Sequence, residues 1–282
     1  MTYRALCDRL LAAGIENAEW DAALLIEHFC GVRADLVPMD RERDYSSSAL
    51  LAAAEKREKR YPLQYLLGEW QFYRQTYEVS PDCLIPRADT EILVEEAIKA
   101  LPPQAYFADL CTGSGCIAVS VLAERSDTRA VALEKFPRTL ALAERNAQRN
   151  GVADRFEPLC ADVLSPDCLP EGTLFDALLS NPPYIRGEVL ATLAPELSAE
   201  PSAALDGGED GLLFYRRIVE QLARRLKRDG FFLFEIGYDQ ADDLCKIGKK
   251  HGFGDFRVIR DLGGNDRVVM LRRTRKDAAA YS

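Results

Sequence analysis

From residue 105 onward, short runs rich in apolar residues fall at 106–110, 130–133, 156–160, 174–179 and 231–236. Runs of this length with no polar alternation predict strands covered on both faces. The stretches between them, 117–125, 138–150, 212–228 and about 239–250, repeat apolar positions at helical spacing; Gly151 and Gly230 stand where the second and third of these should close. Two last runs, 256–259 and 267–271, are joined by Gly263-Gly264-Asn265-Asp266 and predict an antiparallel hairpin at a sheet edge. Strand–helix alternation of this kind predicts an α/β fold, with a mostly parallel seven-stranded sheet and helices on both faces.

The first 70 residues carry a different pattern. Leu6, Leu10 and Leu11 space one apolar helical face. Trp20, Leu24, Leu25 and Phe29 space a second, ended by Gly31, and 49–60 forms a third helix, alanine-rich and charged on one side. This predicts a small N-terminal helical domain, 1–70, suited to recognising a partner. Trp70, Phe72, Tyr73, Tyr77 and Val79 then give aromatic and β-branched character until Pro81 and Pro86, so 71–88 reads as a linking β-hairpin. The remainder, 89–282, is the larger domain. It opens with a helix at 90–100, with Asp89 or Thr90 as its N-cap and Pro102-Pro103 as its stop.

Composition narrows the class of protein. A formal net charge of −9 argues against a chain that holds nucleic acid by bulk electrostatics, and no stable nucleic-acid binding is expected. The basic clusters Lys56-Arg57-Glu58-Lys59-Arg60 and Arg224-Arg225-Leu226-Lys227-Arg228 read as solvated helix faces. Eight cysteines include no C-x-x-C pair, and the two histidines lie far apart, so neither a disulfide framework nor a metal site is expected. With no signal peptide and no run near the ~18 apolar residues of a membrane span, a cytoplasmic location is expected.

The chemistry concentrates at two strand ends. After the 174–179 run come Ser180-Asn181-Pro182-Pro183-Tyr184, and two prolines cannot continue a central strand. The chain must leave the sheet at Asn181, at the strand end where open α/β sheets hold ligands. Asn181 offers a neutral amide with an acceptor oxygen, the prolines can aim the Pro182 carbonyl outward, and Tyr184 offers a flat ring. Together Asn181, Pro182, Pro183 and Tyr184 suit a planar –NH₂ group, whose two hydrogens need two acceptors.

The second strand end is Asp109-Leu110-Cys111-Thr112-Gly113-Ser114-Gly115. Gly113 and Gly115 permit a tight turn, but the third glycine of a dinucleotide fingerprint is replaced by Ala118. Asp109 would repel a pyrophosphate and favour an amino-bearing ligand; S-adenosyl-L-methionine, which has no phosphates, fits. Glu134 follows Gly115 at the spacing expected of a carboxylate on ribose hydroxyls. Asp162, ending the third strand, is placed to accept from an adenine amino group, with Val163 against the ring. The cofactor set is thus Asp109, Cys111, Thr112, Gly113, Ser114, Gly115, Glu134, Asp162, Val163 and Asn181.

On these residues the chain resembles the class I S-adenosylmethionine-dependent methyltransferases, with their Rossmann-like sheet. More narrowly it resembles the HemK/PrmC family of release factor glutamine methyltransferases. The likeness runs through residues 60–72, Leu84-Ile85-Pro86-Arg87-Ala88-Asp89-Thr90-Glu91, the Gly113-Ser114-Gly115 turn, Ser180-Asn181-Pro182-Pro183-Tyr184-Ile185, residues 204–212 and Glu235-Ile236-Gly237. Cys111 stands where many members have glycine, Glu134 where many have aspartate, and Arg74 where glycine is often found; none removes a group the chemistry needs. The resemblance implies that the helical domain helps bind a class 1 peptide chain release factor. The methyl acceptor it implies is the side-chain amide nitrogen of glutamine in a Gly-Gly-Gln motif, with S-adenosyl-L-homocysteine as product.

An adenine-N6 methyltransferase acting on DNA or RNA is the alternative, because a flipped adenine presents the same planar –NH₂. The acidic charge and the lack of a separate basic domain oppose it. A non-catalytic partner-binding protein is opposed by the intact site residues, and a nicotinamide dehydrogenase by Asp109 and the missing glycine.

Overall fold

The computed structural model describes residues 1–45 and 47–273. It divides into two compact units. One gathers Met1–Trp70, Val79–Pro81 and Leu193–Glu200; the other gathers Gln71–Glu78, Asp82–Thr192 and Pro201–Ser282.

The first unit is helical: α1 (Tyr3–Ala12), α2 (Ala18–Cys30), α3 (Ser48–Glu58) and the short α4 (Leu63–Leu67). Thr2 and Ser47 cap α1 and α3 by accepting the Ala5 and Leu50 N–H groups. Gly31 ends α2 in the left-handed conformation, as its position predicts. The buried stripes differ from the predicted ones. Tyr3, Leu6 and Leu10 face inward on α1, and Ala18, Ala22, Leu25 and Ile26 on α2. Leu11, 64% exposed, and Trp20, 60% exposed, point out, because each lies about a quarter-turn or more from those stripes. Alanines, rather than Trp20, form much of the inner face of α2.

Arg57 also departs from the expected solvated cluster. It is buried, with Nε donating to Asp21 Oδ2 at 2.7 Å and a terminal nitrogen reaching the Tyr61 carbonyl at 3.2 Å and Glu196 Oε1 at 3.2 Å. Arg60 grips the same Glu196 with two nitrogens, at 2.6 and 3.1 Å. Glu196 sits in a 3₁₀ turn, Pro195–Ala199, that the chain returns to this unit from within the larger one.

The hairpin strands β1 (Glu69–Phe72) and β2 (Gln75–Glu78) form a two-stranded sheet of their own. In the second unit α5 (Thr90–Ala100) leads into a doubly wound array. In chain order it comprises β3 (Tyr106–Leu110), α6 (Cys116–Glu124), β4 (Arg129–Glu134), α7 (Pro137–Arg149), β5 (Phe156–Cys160), β6 (Phe175–Ser180), α8 (Leu213–Leu222), β7 (Leu226–Glu235), α9 (Ala241–Lys250), β8 (Asp255–Arg260) and β9 (Asp266–Arg272). The sheet order is β5-β4-β3-β6-β7-β9-β8, parallel except for β9, which pairs antiparallel with both neighbours.

Both faces of the central strands are buried, which explains their apolar runs, while the edge strands β5 and β8 keep exposed positions. Phe107, Ala177, Leu179 and Leu233 pack under α5 and α6, while their neighbours Ala108, Leu178, Phe232 and Phe234 pack under α8 and α9. Order reverses between β3 and β6, the switch point at which a crevice opens beyond the strand ends.

One predicted helix is shorter than its pattern. Helix α8 ends at Leu222, and after one 3₁₀ turn the chain is already strand at Leu226. Four residues, 227–230, then stand opposite Asp176 alone, since Leu226 pairs with Phe175 and Phe231 with Ala177. Gly230 therefore sits in a bulge, not at a helix end; a Cβ there would press within 3.0–3.2 Å of three carbonyl oxygens. Arg225 is buried and donates to the Leu169 and Pro170 carbonyls, so this basic cluster too is only partly a solvated face.

Candidate active site

Strand register brings the predicted residues to one level. Leu110 pairs with Leu133 on one side and Ser180 on the other, and Ser180 pairs with Phe234. Cys111, Glu134, Asn181 and Glu235 therefore stand together at the carboxyl ends of four neighbouring strands. Above them opens a cavity of about 300 Å³. Its wall includes Cys111, Thr112, Gly113 and Ser114 from the β3–α6 turn, Glu134 and Phe136 after β4, Asp162 and Val163 after β5, and Asn181 and Pro183 after β6. Residues 82–87, Thr90, Asp206, Gly208 and Leu213-Phe214 also line it.

The β3–α6 turn is braced from below. Asp109 is fully buried; its Oδ2 accepts from the Thr112 hydroxyl at 2.6 Å and from the Ala118 N–H at 3.1 Å. Burial is the largest influence on its carboxyl, which is pushed up to about 7 despite those two bonds. Sequence reasoning set Asp109 against an amino group of the ligand. It does not line the cavity but lies beneath the turn, as does Gly115, whose α-hydrogen side abuts Ala143, with 3.2 Å between its Cβ and one built on the glycine. Gly113, with φ +55°, is different: a Cβ there would meet nothing within 4 Å, so the turn's backbone borders open space.

Glu134 closes over that turn. Oε2 accepts the Gly113 N–H and Oε1 the Phe136 N–H, each at 3.1 Å. Burial raises its pKa, offset in part by these backbone donors. Each oxygen keeps a further lone pair for a ligand hydroxyl. At Asp162 burial is outweighed by the Leu164 N–H at 2.9 Å and the Lys135 ammonium at 2.9 Å, which hold its carboxyl below the usual range. Lys135 is paired with Asp162, and the wall otherwise carries the carboxylates of Asp82, Glu134 and Asp206 against the single guanidinium of Arg87, with backbone polar groups and apolar surface from Leu133, Val163 and Ile117. That donor and acceptor set fits an adenosine bearing an amino-acid chain and offers little to a pyrophosphate.

The Asn-Pro-Pro-Tyr loop is held in shape by 204–212. Ile185 donates to the Leu205 carbonyl at 3.0 Å and accepts from Gly207 at 2.8 Å. A Cβ on Gly207 would come within 2.7 Å of Tyr184 Cα, so only glycine allows that approach. Gln240 Nε2 holds the Tyr184 carbonyl at 3.0 Å. Pro182 and Pro183 are buried; Pro183 lines the cavity, whereas Pro182 and Tyr184 do not. Tyr184 turns its hydroxyl to Glu235 Oε1 at 3.3 Å and packs against the core. Its ring does not form part of the cavity wall.

Asn181 donates from Nδ2 to Thr90 Oγ1 at 3.2 Å, and Thr90 donates to Glu235 Oε2 at 2.6 Å. Sequence reasoning gave neither Thr90 nor Glu235 a place in the site. Asp89 does occupy the N-cap of α5, though without a side-chain cap bond. The available signal for Glu235 was a carboxylate ending an apolar run of four buried residues.

Comparison with known proteins agrees with this architecture. Residues 3–68 match the family model described as PrmC N-terminal domain, and 88–214 match the Methyltransferase small domain. The chain is 36% identical to the release factor glutamine methyltransferase of Caulobacter vibrioides, covering 95% of this chain and 94% of that protein. It is 38% identical to the one from Geobacter sulfurreducens, over 92% and 91% of the two chains. Among solved structures, the hMettl16 catalytic domain in complex with a 3′UTR hairpin shares the fold, with a TM-score of 0.57, 14% identity, and 80% and 81% of the two chains covered. This chain belongs to the release factor glutamine methyltransferase family.

Proposed function

We propose that the protein methylates the side-chain amide nitrogen of the glutamine in the Gly-Gly-Gln motif of class 1 peptide chain release factors, with S-adenosyl-L-methionine as donor and S-adenosyl-L-homocysteine as product. One observation carries the reading: Asn181, a neutral carboxamide whose Oδ1 bonds to no other described residue, shares a cavity with Glu134 and the 111–114 turn. Near-full-length similarity to proteins named for this reaction supports it.

When bound, S-adenosyl-L-methionine supplies a methyl group on a positively charged sulfur. Glu134 would hold the ribose hydroxyls, Asp162 and Val163 the adenine, and the 111–115 turn with Asp109 beneath it the remaining backbone contacts. An amide nitrogen is a weak nucleophile, because its lone pair is delocalised into the carbonyl. Asn181 Oδ1 and the Pro182 carbonyl would accept its two N–H bonds and keep that lone pair turned toward the donor. As the nitrogen gains positive charge, both acceptors would bind it more strongly and stabilise the transition state more than the ground state. The methylated nitrogen, strongly acidic while cationic, would then release one proton to solvent and return to a neutral amide. Pro183 would flank the acceptor, and Tyr184 would act by bracing the loop from its Glu235 contact.

The helical unit, 1–70, would recognise the release factor. No helix among the described residues is long and apolar enough to cross a membrane, and all eight cysteines are free thiols, which suits the cytoplasm. The exocyclic amine of adenine is the weaker candidate, given the net charge of −9 and the names of the relatives. Transfer of labelled methyl from the cofactor to a purified release factor, with duplex DNA in a parallel reaction, tests the choice. Label in the protein alone is expected; label in DNA alone would reverse the assignment.

A further inference from the structure

The Thr90 hydroxyl has one hydrogen to give. Its oxygen lies 2.6 Å from Glu235 Oε2 and 3.2 Å from Asn181 Nδ2. When Glu235 is ionised it can only accept, so the Thr90 hydrogen goes to Glu235. Thr90 is then an acceptor toward Asn181, and only the NH₂ end of the Asn181 amide can satisfy it. Oδ1 is left as the free end, on a residue that lines the cavity. Were Glu235 to carry a proton, it could donate to Thr90, and Thr90 could donate to Asn181. The amide would then gain by flipping, which would present N–H groups to an acceptor that itself bears N–H groups.

We infer that Thr90 and Glu235 are positioning residues that fix which end of the Asn181 carboxamide faces the acceptor amide. This rests on the proposed role of Asn181 and extends it to two side chains that need not touch substrate. Thr90 is the first residue of α5 and Glu235 the last of β7, both buried, so neither can rotate freely to another partner.

Several groups act on Glu235. Burial is the largest influence and pushes its carboxyl up to about 7; the Thr90 hydroxyl, the Arg267 charge and the Tyr184 hydroxyl oppose it, and Asp89 adds to it. Arg267 is itself shared with Asp89 at 3.3 Å and Asp261 at 3.0 Å. Tyr215 donates to the Glu235 backbone carbonyl at 2.9 Å rather than to its carboxylate. Buried Cys116, with its thiol kept neutral by burial, also faces the group. Turnover should therefore rise with pH through about 7 and level above it.

The test compares Thr90→Val, Thr90→Ser, Glu235→Gln, Asn181→Ala and the Asn181→Ala/Thr90→Val pair, each checked by thermal melting and by calorimetric cofactor binding. Thr90→Val should lower kcat about tenfold, with cofactor affinity within about threefold of the parent. Thr90→Ser, which keeps the hydroxyl, should restore kcat. Adding Thr90→Val to Asn181→Ala should cost nothing further, because the relay acts through Asn181. Glu235→Gln should abolish the low-pH fall in kcat. Equal kcat for Thr90→Val and Thr90→Ser, an additive double variant, or a surviving pH limb in Glu235→Gln would each overturn the inference. If Asn181→Ala loses activity while Thr90→Val does not, the relay alone is wrong. If Asn181→Ala retains full turnover, the reading of the site fails with it.

Discussion

Glu134 Oε2 accepts the Gly113 N–H at 3.1 Å, which ties the end of β4 to the turn that follows β3. One carboxylate thus both shapes the backbone of the cavity floor and faces the place where ribose hydroxyls are proposed to sit. Replacing Glu134 with alanine removes an acceptor from two backbone donors and from the ligand. Calorimetry should show affinity for S-adenosyl-L-methionine lowered by at least about tenfold, the scale of one lost charge-assisted hydrogen bond. An unchanged affinity would remove Glu134 from the cofactor site.

Gly207→Ala is expected to disturb the site without touching its chemistry. A Cβ there would meet Tyr184 Cα and carbonyl carbon at 2.7 and 2.8 Å, both backbone atoms with no freedom to swing aside. The loop carrying Asn181 must shift, at a cost of about 1–3 kcal/mol by analogy with other overpacked positions. Urea unfolding should report that loss, and turnover should fall more than cofactor affinity.

Stability should decline between mildly acid and neutral pH because of two buried carboxyls. Asp109 and Glu235 are both pushed up to about 7, chiefly by burial. A raised folded pKa means the native state binds the proton more tightly than the unfolded chain. The resulting stabilisation is full below about pH 4, the unfolded value, and is lost as pH rises through about 7. The melting temperature should therefore lose this contribution between about pH 4 and about pH 7, with no further loss from it at higher pH, and Asp109→Asn should flatten part of that slope. A slope unchanged by the substitution would show that Asp109 does not titrate in this range.

In the helical unit, Arg57→Ala should be strongly destabilising. It would leave Asp21 buried, with its pKa already raised by burial even while paired. Breaking one side of such a pair costs about 3–5 kcal/mol. Removing Asp21 as well should recover part of that loss, so denaturant unfolding of the two single variants and the double variant should be markedly non-additive.

Much of the larger unit was legible in the chain because burial on both faces of the central strands writes itself as runs rich in apolar residues, and 106–110 coincides with β3. The run 156–160 coincides with β5, although that edge strand keeps Pro158 and Cys160 exposed. The loop at Asn181 was legible because two prolines forbid any other continuation. What stayed hidden depends on partners far away in sequence. Arg57 and Arg225 look like surface arginines until Asp21, Glu196 and the Leu169 and Pro170 carbonyls are brought to them. Gly230 has the appearance of a helix stop, yet serves a bulge whose crowding comes from Asp176 and Phe175. Thr90 reads as a cap residue, while its hydroxyl is committed to Glu235, 145 positions onward. Tyr184 and Asp109 were identified as site residues by type and place, but the burial of Asp109 and the packing of half-buried Tyr184 against the core make them supports of the cavity rather than parts of its wall.

The central claim is that the cavity beside Asn181 receives an uncharged carboxamide and methylates its nitrogen. Peptide mass spectrometry of a release factor incubated with the protein and S-adenosyl-L-methionine tests this most directly. The account predicts one methyl increment on the glutamine side chain of the Gly-Gly-Gln peptide, absent when that glutamine is replaced by alanine. An increment on any other residue, or one that survives the replacement, would contradict it.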